Sequence, residues 1–143
     1  MHLESQSISR RRSKILVVDD DPDIRSLIRT FLEHEGYIVY VSGDANRAAQ
    51  IFRRSPGIDL VITDYSMPQR SGLDLAKELS ALRLSLHVLI ISGVLLQDSQ
   101  LDRMQTQGWR FLSKPFSLPQ LLSEVHSILE SAPYANNSAT LIA

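Results

Sequence analysis

The sequence predicts an α/β protein in which a doubly wound, five-stranded parallel sheet carries helices on both faces. Short apolar segments rich in β-branched residues alternate five times with longer segments whose apolar residues recur at helical spacing. Such alternation is typical of strand–helix–strand units with right-handed crossovers. The length of 143 residues fits one domain, in which five buried helical stripes provide a sufficient core.

The first two strand–helix pairs have clear boundaries. Lys14 to Val18 is an apolar strand followed by three acids, and Pro22 suits the first turn of the next helix. That helix has one apolar stripe and ends at Gly36. The second strand is predicted over residues 37–41, and the second helix over 45–54.

The other three pairs follow the same pattern. Their elements are predicted over residues 60–63, 72–82, 87–91, 98–107 and 109–112, with a last helix after that. Within the segment 60–63, residues 60–62 form a continuous apolar run rich in β-branched residues, as expected for a strand buried on both faces. The helix over 98–107 is polar and therefore weak. Ser117 and Gln120 have the spacing of a capping box, which predicts the start of the fifth helix.

Composition excludes several classes of protein. The net charge of −1 provides no basic field for nucleic acid, and the absence of cysteine excludes disulfides and thiolate-bound metal. No apolar run is long enough to span a membrane, and the N-terminus lacks the apolar core of a signal peptide. We therefore expect a cytoplasmic protein that contacts neither membrane nor nucleic acid.

One domain is expected over residues 14–131, between a flexible N-terminal tail, 1–13, and a C-terminal tail or linker, 132–143. A basic cluster lies where the first tail meets the first strand, at Arg10, Arg11, Arg12 and Lys14. It is interpreted as a solvated segment that keeps the first strand in register. Contact with an acidic partner is the alternative.

Candidate site residues follow four of the five predicted strands. Asp19 and Asp20 follow the first, Asp64 the third, Ser92 the fourth and Lys114 the fifth. Because parallel strands end at one edge of a sheet, these side chains should meet there. Crowded carboxylates repel each other, and an oxygen-only site favours a hard divalent cation such as Mg²⁺. A carboxylate can attack phosphorus, while a lysine and a hydroxyl suit phosphoryl oxygens, so phosphoryl transfer to an aspartate is indicated.

These motifs closely resemble the receiver domain of two-component response regulators, over about residues 14–131. The matching stretches are Val17-Val18-Asp19-Asp20, Asp64-Tyr-Ser-Met-Pro68 with Ser71-Gly72, Ile91-Ser92-Gly93, and Lys114-Pro115-Phe116. The resemblance implies a flavodoxin-like fold with strand order 2-1-3-4-5. It also implies that Asp64 is the phospho-acceptor, and that Asp19, Asp20 and Asp64 bind Mg²⁺ together with the backbone carbonyl of Ser66.

The same resemblance assigns the remaining functional residues. Lys114 would contact the phosphoryl group, with a cis bond to Pro115, and Ser92 would be the switch hydroxyl. Phe111 falls at the position of the switch aromatic, where many members have tyrosine. The sequence departs from the family at Val94 to Leu96, where polar residues are common. These residues either pack under the fourth helix or form an exposed docking patch.

The implied function is a signalling switch that catalyses only its own phosphorylation and dephosphorylation. A sensor histidine kinase or a histidine phosphotransfer protein would supply the phosphoryl group to Asp64. The face formed by the fourth helix, fifth strand and fifth helix would then bind a downstream protein, and phosphorylation could produce a homodimer. No output domain is expected after the fifth helix.

Two alternatives remain at this point. One is a degenerate receiver that binds partners without being phosphorylated. The other is a phosphatase of the haloacid dehalogenase type, whose Asp-x-Asp opening is satisfied by Asp19, Asp20 and Asp21. The phosphatase would leave Asp64 without a role, and the acidic pair expected beyond its lysine is absent.

Overall fold

Five strands and five helices alternate along residues 12–131, the part of the chain that the computed structural model describes. They are β1 (Lys14–Val18), α1 (Pro22–His34), β2 (Ile38–Ser42), α2 (Ala45–Arg54), β3 (Ile58–Asp64), α3 (Gly72–Leu82), β4 (His87–Ser92), α4 (Asp98–Gln107), β5 (Arg110–Ser113) and α5 (Leu118–Ser131). Apart from Arg12 and Ser13, the two predicted tails lie outside the described residues. Within those residues, no helix has both the length and the apolar character needed to cross a bilayer.

The sheet is parallel throughout, with the predicted order β2-β1-β3-β4-β5. Val18, at the end of β1, lies opposite Ser42 on one side and Thr63 on the other. Asp64 lies opposite Ile91, and Ser92 lies opposite Ser113. The ends of all five strands therefore meet at one edge, which we call the carboxyl edge.

Two apolar layers cover the two faces of the sheet. Alternate strand residues such as Leu16 and Val18 face α2, α3 and α4, whereas Ile15 and Val17 face α1 and α5. Burial on both faces explains why the strands are continuous apolar runs. Trp109 is buried in the first layer, with 7% of its surface exposed.

Strand boundaries differ from the prediction by one or two residues. β3 extends over Ile58–Asp64 because Ile58 pairs with Lys14 and Asp64 with Ile91. β5 begins after Trp109, whose N–H donates to the Met104 carbonyl oxygen at 2.9 Å and so belongs to the end of α4.

Polar side chains fix the helix starts at the carboxyl edge. Asp21 accepts hydrogen bonds from two N–H groups of α1, Asp44 caps α2 and Ser71 caps α3. The predicted capping box is present, because Ser117 N–H donates to Gln120 Oε1 at 2.8 Å and Gln120 N–H donates to Ser117 Oγ at 3.1 Å. Helices thus begin where strands end, and the loops between them form the candidate site.

The described part of the basic cluster contacts the main chain. Arg12 Nε donates to the Gly36 carbonyl oxygen at 2.9 Å, and Lys14 Nζ donates to the Pro56 carbonyl oxygen at 3.2 Å. These bonds agree with the interpretation that the cluster keeps β1 in register. Arg10 and Arg11 lie outside the described residues.

Candidate functional site

Three carboxylates meet at the carboxyl edge. Asp19 and Asp20 follow β1, Asp64 ends β3, and each offers one oxygen within 4.8 Å of the others. Asp19 and Asp64 are buried, with 3% and 8% of their surfaces exposed, whereas Asp20 is exposed. The structure therefore brings together the three acids that the sequence placed at this edge.

Asp19 forms hydrogen bonds through its N–H, its carbonyl oxygen and its carboxylate. Its N–H donates to the Ser42 carbonyl oxygen at 3.1 Å, and its own carbonyl oxygen accepts from Arg25 Nη1 at 2.7 Å. Its Oδ1 accepts from the Asp21 N–H at 2.9 Å. The contact from Arg25, which crosses from the first turn of α1 to the end of β1, was not predicted from the sequence.

Lys114 lies between the two buried acids. Its Nζ is 3.1 Å from Asp64 Oδ2 and 3.5 Å from Asp19 Oδ2. Its backbone N–H donates to the Ser92 carbonyl oxygen at 2.8 Å, which attaches the end of β5 to the end of β4. The bond from Lys114 to Pro115 is cis, as expected.

Burial and charge shift two pKa values at this site. Burial raises the pKa of Asp19, and the negative charges of Asp64 and Asp20 add to this, against the hydrogen bond from Asp21 and the charge of Lys114. For Lys114, burial acts to lower the pKa, but the hydrogen bond to Asp64 and the charges of Asp19 and Asp64 outweigh it. The net effect raises the pKa of Lys114 and keeps its ammonium charged.

These residues fit a hard divalent cation. The donors are carboxylate oxygens, with no imidazole or thiolate among them, and a cation would offset the burial and the repulsion that together raise the pKa of Asp19. Ser66 lies next to them, with its N–H 3.4 Å from Asp64 Oδ1. Ser66 and Asp20 line the same open cleft, of about 520 Å³, which the loop after β3 borders.

The loop between β3 and α3, residues 65–71, is closely bound to its surroundings. Gly72 N–H donates to the Tyr65 carbonyl oxygen at 2.8 Å, and a Cβ at position 72 would collide with the Asp64 carbonyl oxygen. Arg70 Nη2 is 2.6 Å from Glu78 Oε1, while Glu78 Oε2 is 2.6 Å from Arg53 Nη2. The loop is thus tied to both α2 and α3.

Ser92 and Phe111, the predicted switch residues, border one cavity of about 350 Å³. Ser92 is buried, and its Oγ accepts from the Val94 N–H at 3.1 Å and donates to the Val94 carbonyl oxygen at 3.2 Å. Its hydroxyl therefore bonds to its own loop. Phe111 is partly buried against the layer that contains α4.

In the loop between β4 and α4, residues 93–97, some apolar residues pack against the core and others are exposed, so each of the two alternatives holds in part. Leu96 packs against the core, as one alternative required. Val94 and Leu95 have 51% and 95% of their surfaces exposed, as the other required. One of the three apolar residues is therefore packed and the other two are exposed.

One contact joins the two loops, and sequence analysis missed it. Gln100 Nε2 donates to Tyr65 Oη at 2.6 Å, and Gln100 Oε1 accepts from the Gln97 N–H at 2.7 Å. Gln100 thus connects the start of α4 with the residue that follows Asp64. The two partners are 35 residues apart, and no periodicity in the sequence relates them.

Comparison with known sequences identifies one family. The response regulator receiver domain matches residues 15–126. The transcriptional regulatory protein CpxR of Escherichia coli strain K12 is 33% identical over 126 residues, covering 86% of this chain and 52% of that protein. The regulator NtrC of Azospirillum brasilense is 32% identical over 117 residues, covering 82% of this chain and 24% of that protein. The chain spans about half or less of the length of these curated relatives.

Solved structures give the same result. A response regulator receiver domain protein from Clostridium thermocellum has a TM-score of 0.75 and 29% identity, covering 92% of this chain and 99% of that one. A response regulator receiver protein from Pseudomonas putida has a TM-score of 0.75 and 32% identity, covering 82% and 98%. Asp21, the second acid of the Asp-x-Asp pattern of the phosphatase alternative, is exposed and caps α1. The chain belongs to the response regulator receiver domains of two-component signalling.

Proposed function

We propose that this chain accepts a phosphoryl group on Asp64 from a phosphohistidine of a partner protein. A carboxylate oxygen of Asp64 forms the new bond to phosphorus as the phosphorus–nitrogen bond of the donor breaks, and the electron pair remains on the imidazole. The observation that carries this proposal is the position of Lys114 Nζ, 3.1 Å from Asp64 Oδ2. An ammonium there can stabilise charge on the transferred group, since phosphoryl transfer depends mainly on positioning and electrostatics.

Mg²⁺ is the cofactor that the donor set favours. Asp19, Asp20, Asp64 and the backbone carbonyl of Ser66 would hold it, and the bound ion would neutralise charge on phosphoryl oxygens. The protein's own contribution is to keep Asp64 buried and Lys114 charged beside it. Because the protein is consumed and regenerated with each phosphorylation, it acts as a switch rather than as an enzyme with a separate substrate.

The switch would run through Ser92 and Phe111. In the structure, Ser92 Oγ bonds only within its own loop, at Val94, among the hydrogen bonds of the described residues. A phosphoryl group on Asp64 would offer this hydroxyl a charged acceptor, and charge-assisted bonds are stronger than neutral ones. The cavity that Ser92 shares with Phe111 leaves room for the ring to turn inward, which would change the face of α4, β5 and α5.

The partners follow from this chemistry. The phosphoryl donor would be a sensor histidine kinase or a histidine phosphotransfer protein, and the changed face would bind a downstream protein or a second copy of the chain. The domain responsible would extend over residues 14–131, with the flanking segments 1–13 and 132–143 as tails or linkers. The curated relatives are longer than this chain.

A labelling experiment tests the proposal. With phosphoramidate and Mg²⁺, we expect one acid-labile, hydroxylamine-sensitive phosphoryl group per chain, because Lys114 Nζ lies closer to Asp64 Oδ2, at 3.1 Å, than to Asp19 Oδ2, at 3.5 Å. Asp64→Asn should abolish the label. Asp74→Asn is the control, since Asp74 is an exposed carboxylate in the first turn of α3.

Three results would contradict the proposal. Label of the same chemistry in Asp64→Asn would place the acceptor elsewhere. A folded wild-type protein that takes no label would instead be a degenerate receiver. Steady hydrolysis of p-nitrophenyl phosphate would favour the phosphatase class.

A further inference from the structure

We infer that Arg25 is a positioning residue for the metal-binding acids, and that Gly43 is glycine because Arg25 needs the space. The inference rests on the proposed function, since it concerns the affinity of the same site for Mg²⁺. Arg25 lies in α1 and Gly43 follows β2, so neither belongs to the carboxylate cluster itself.

The hydrogen bond from Arg25 holds a peptide group that two ligands share. Arg25 Nη1 donates to the Asp19 carbonyl oxygen at 2.7 Å, a short, charge-assisted bond. This carbonyl is part of the peptide that links Asp19 to Asp20. Because a peptide group is planar, its orientation sets the directions in which both side chains leave the backbone. One guanidinium can therefore orient two carboxylates that it does not touch.

The other contacts of Asp19 do not replace this bond. The Asp19 N–H donates to the Ser42 carbonyl oxygen, which fixes the peptide group on the preceding side. Asp19 Oδ1 accepts from the Asp21 N–H, which fixes the side chain once the following peptide is in place. Within residues 12–131, Arg25 forms no ion pair with a carboxylate, so the carbonyl of Asp19 is the contact that its guanidinium serves.

Gly43 lies next to the Arg25 guanidinium, which occupies the space that a side chain at position 43 would need. A Cβ at position 43 would be 2.8 Å from Arg25 Nη1, closer than such atoms pack, and 3.5 Å from its Cζ, an ordinary contact. The φ angle of Gly43 is outside the left-handed region, which among the described glycines holds Gly36, Gly57 and Gly108. The backbone therefore does not require glycine at position 43, and the guanidinium does.

This geometry gives a second way to remove the hydrogen bond. The guanidinium is the far end of a flexible side chain, so an alanine at position 43 would push it aside rather than move the main chain. Gly43→Ala should then displace Arg25 from the Asp19 carbonyl while its positive charge stays in the protein. Two substitutions on different elements should produce the same defect.

Mg²⁺ titration of the full chain, followed by amide chemical shifts, tests the inference. Groups that orient metal ligands commonly change affinity by about 10- to 100-fold, and we expect Arg25→Met to weaken binding by about tenfold. Gly43→Ala should weaken it by several-fold. The double variant should bind no more weakly than Arg25→Met, because both substitutions remove one interaction. Arg29→Met is the matched control, since Arg29 lies one turn later in α1 and pairs with Glu33.

A readout without metal separates this inference from the proposed function. The Asp21 amide donates to Asp19 Oδ1, so its hydrogen exchange should accelerate in Arg25→Met and Gly43→Ala, but not in Arg29→Met. The inference is overturned if Asp21 exchange is unchanged in both variants. It is also overturned if both variants bind Mg²⁺ like the wild type, even where they unfold more easily in urea. A wild-type protein that neither binds Mg²⁺ nor takes label would instead refute the proposed function, while faster Asp21 exchange would still support the role of Arg25.

Discussion

The two loops that follow the central strands differ in how firmly they are held. β3 and β4 are neighbours, and their ends pair at Asp64 and Ile91. The loop after β3, which follows the acceptor, has contacts along its length: Tyr65 N–H donates to the Ile91 carbonyl oxygen at 2.7 Å, and Arg70 pairs with Glu78. The loop after β4, which follows Ser92, is held by two hydrogen bonds between the Ser92 hydroxyl and the Val94 backbone, and it leaves Val94 and Leu95 exposed.

This difference matches the two tasks of a phosphorylation switch. Phosphoryl transfer needs the acceptor, the lysine and the metal ligands in fixed positions, and a small misplacement can be costly. A response to phosphorylation needs a neighbouring segment with two arrangements of similar free energy. Contacts should therefore be dense next to Asp64 and sparse next to Ser92, and the predictions below test this distribution.

We call the loop after β3, residues 65–71, the firm loop. The largest loss of stability is expected from Gly72→Ala, which adds a methyl group to the residue that follows this loop. In Gly72→Ala, the Cβ would collide with the Asp64 carbonyl oxygen, a backbone atom in a buried strand that cannot easily move. We expect a loss of about 3 kcal/mol in the free energy of unfolding, at the upper end for overpacking. Urea denaturation measures this loss.

The matched variant for the loop after β4 is Gly93→Ala. There the Cβ would lie 3.6 Å from Lys114 Cβ, an ordinary contact, so the change should be within about 0.5 kcal/mol. Equal losses in the two variants would mean that the loops do not differ in packing.

The fold and the acid cluster could be predicted from the sequence because both depend on local patterns. Apolar runs and helical stripes gave the elements, and the polar residues after the strands gave Asp19, Asp20, Asp64 and Lys114. Parallel topology alone then brings these residues to one edge. The remaining errors were small, such as the start of β5 at Arg110 rather than Trp109.

The contacts that hold the site could not be predicted in the same way. Arg25, Arg70 and Gln100 look like ordinary surface residues of helices and loops, because nothing in the sequence states which distant atom a long polar side chain reaches. Which of Val94 to Leu96 are packed and which are exposed could not be predicted either, since an apolar triplet before a weak helix is compatible with burial and with exposure.

A moderate effect is expected from weakening the ion-pair network that ties the firm loop to α2 and α3. The hydrogen bond from Arg70 lowers the pKa of Glu78, against its burial, and Arg53 adds to the effect. Glu78→Gln should therefore cost about 1 kcal/mol of unfolding free energy at neutral pH. Glu33→Gln, which alters an exposed i,i+4 pair on α1, should cost only a few tenths of a kcal/mol.

The loss of stability in Glu78→Gln should become smaller as the pH falls. Because the pKa of Glu78 is lower in the folded protein, its stabilisation is complete above about pH 4.5, where an unfolded glutamate ionises. It is lost as the pH falls through the folded pKa. Urea denaturation from pH 7 down to acid pH should show the wild type and Glu78→Gln converging only below about 4.5. A constant gap across this range would mean that the charge of Glu78 is not what stabilises the loop.

The smallest effect on global stability, and the most informative for the switch, is expected from Tyr65→Phe. The substitution keeps the ring, which packs against the core, and removes the hydroxyl that accepts from Gln100. Since this bond joins the firm loop to the start of α4, its loss should free Gln100 and with it the Gln97 amide. Global stability should change by no more than about 1 kcal/mol, the typical net contribution of one hydrogen bond.

Local opening should change more clearly than global stability. Hydrogen exchange of the amides in the first turn of α4 should accelerate about fivefold, equivalent to about 1 kcal/mol of local opening, while the amides of β3 stay protected. Tyr40→Phe is the control, because Tyr40 lies on β2 at the other edge of the sheet and loses the same hydroxyl. If α4 exchanges no faster in Tyr65→Phe than in Tyr40→Phe, then Gln100 does not restrain α4. The position of that helix would then be set by Leu96 and the core rather than by a bond to the residue beside Asp64.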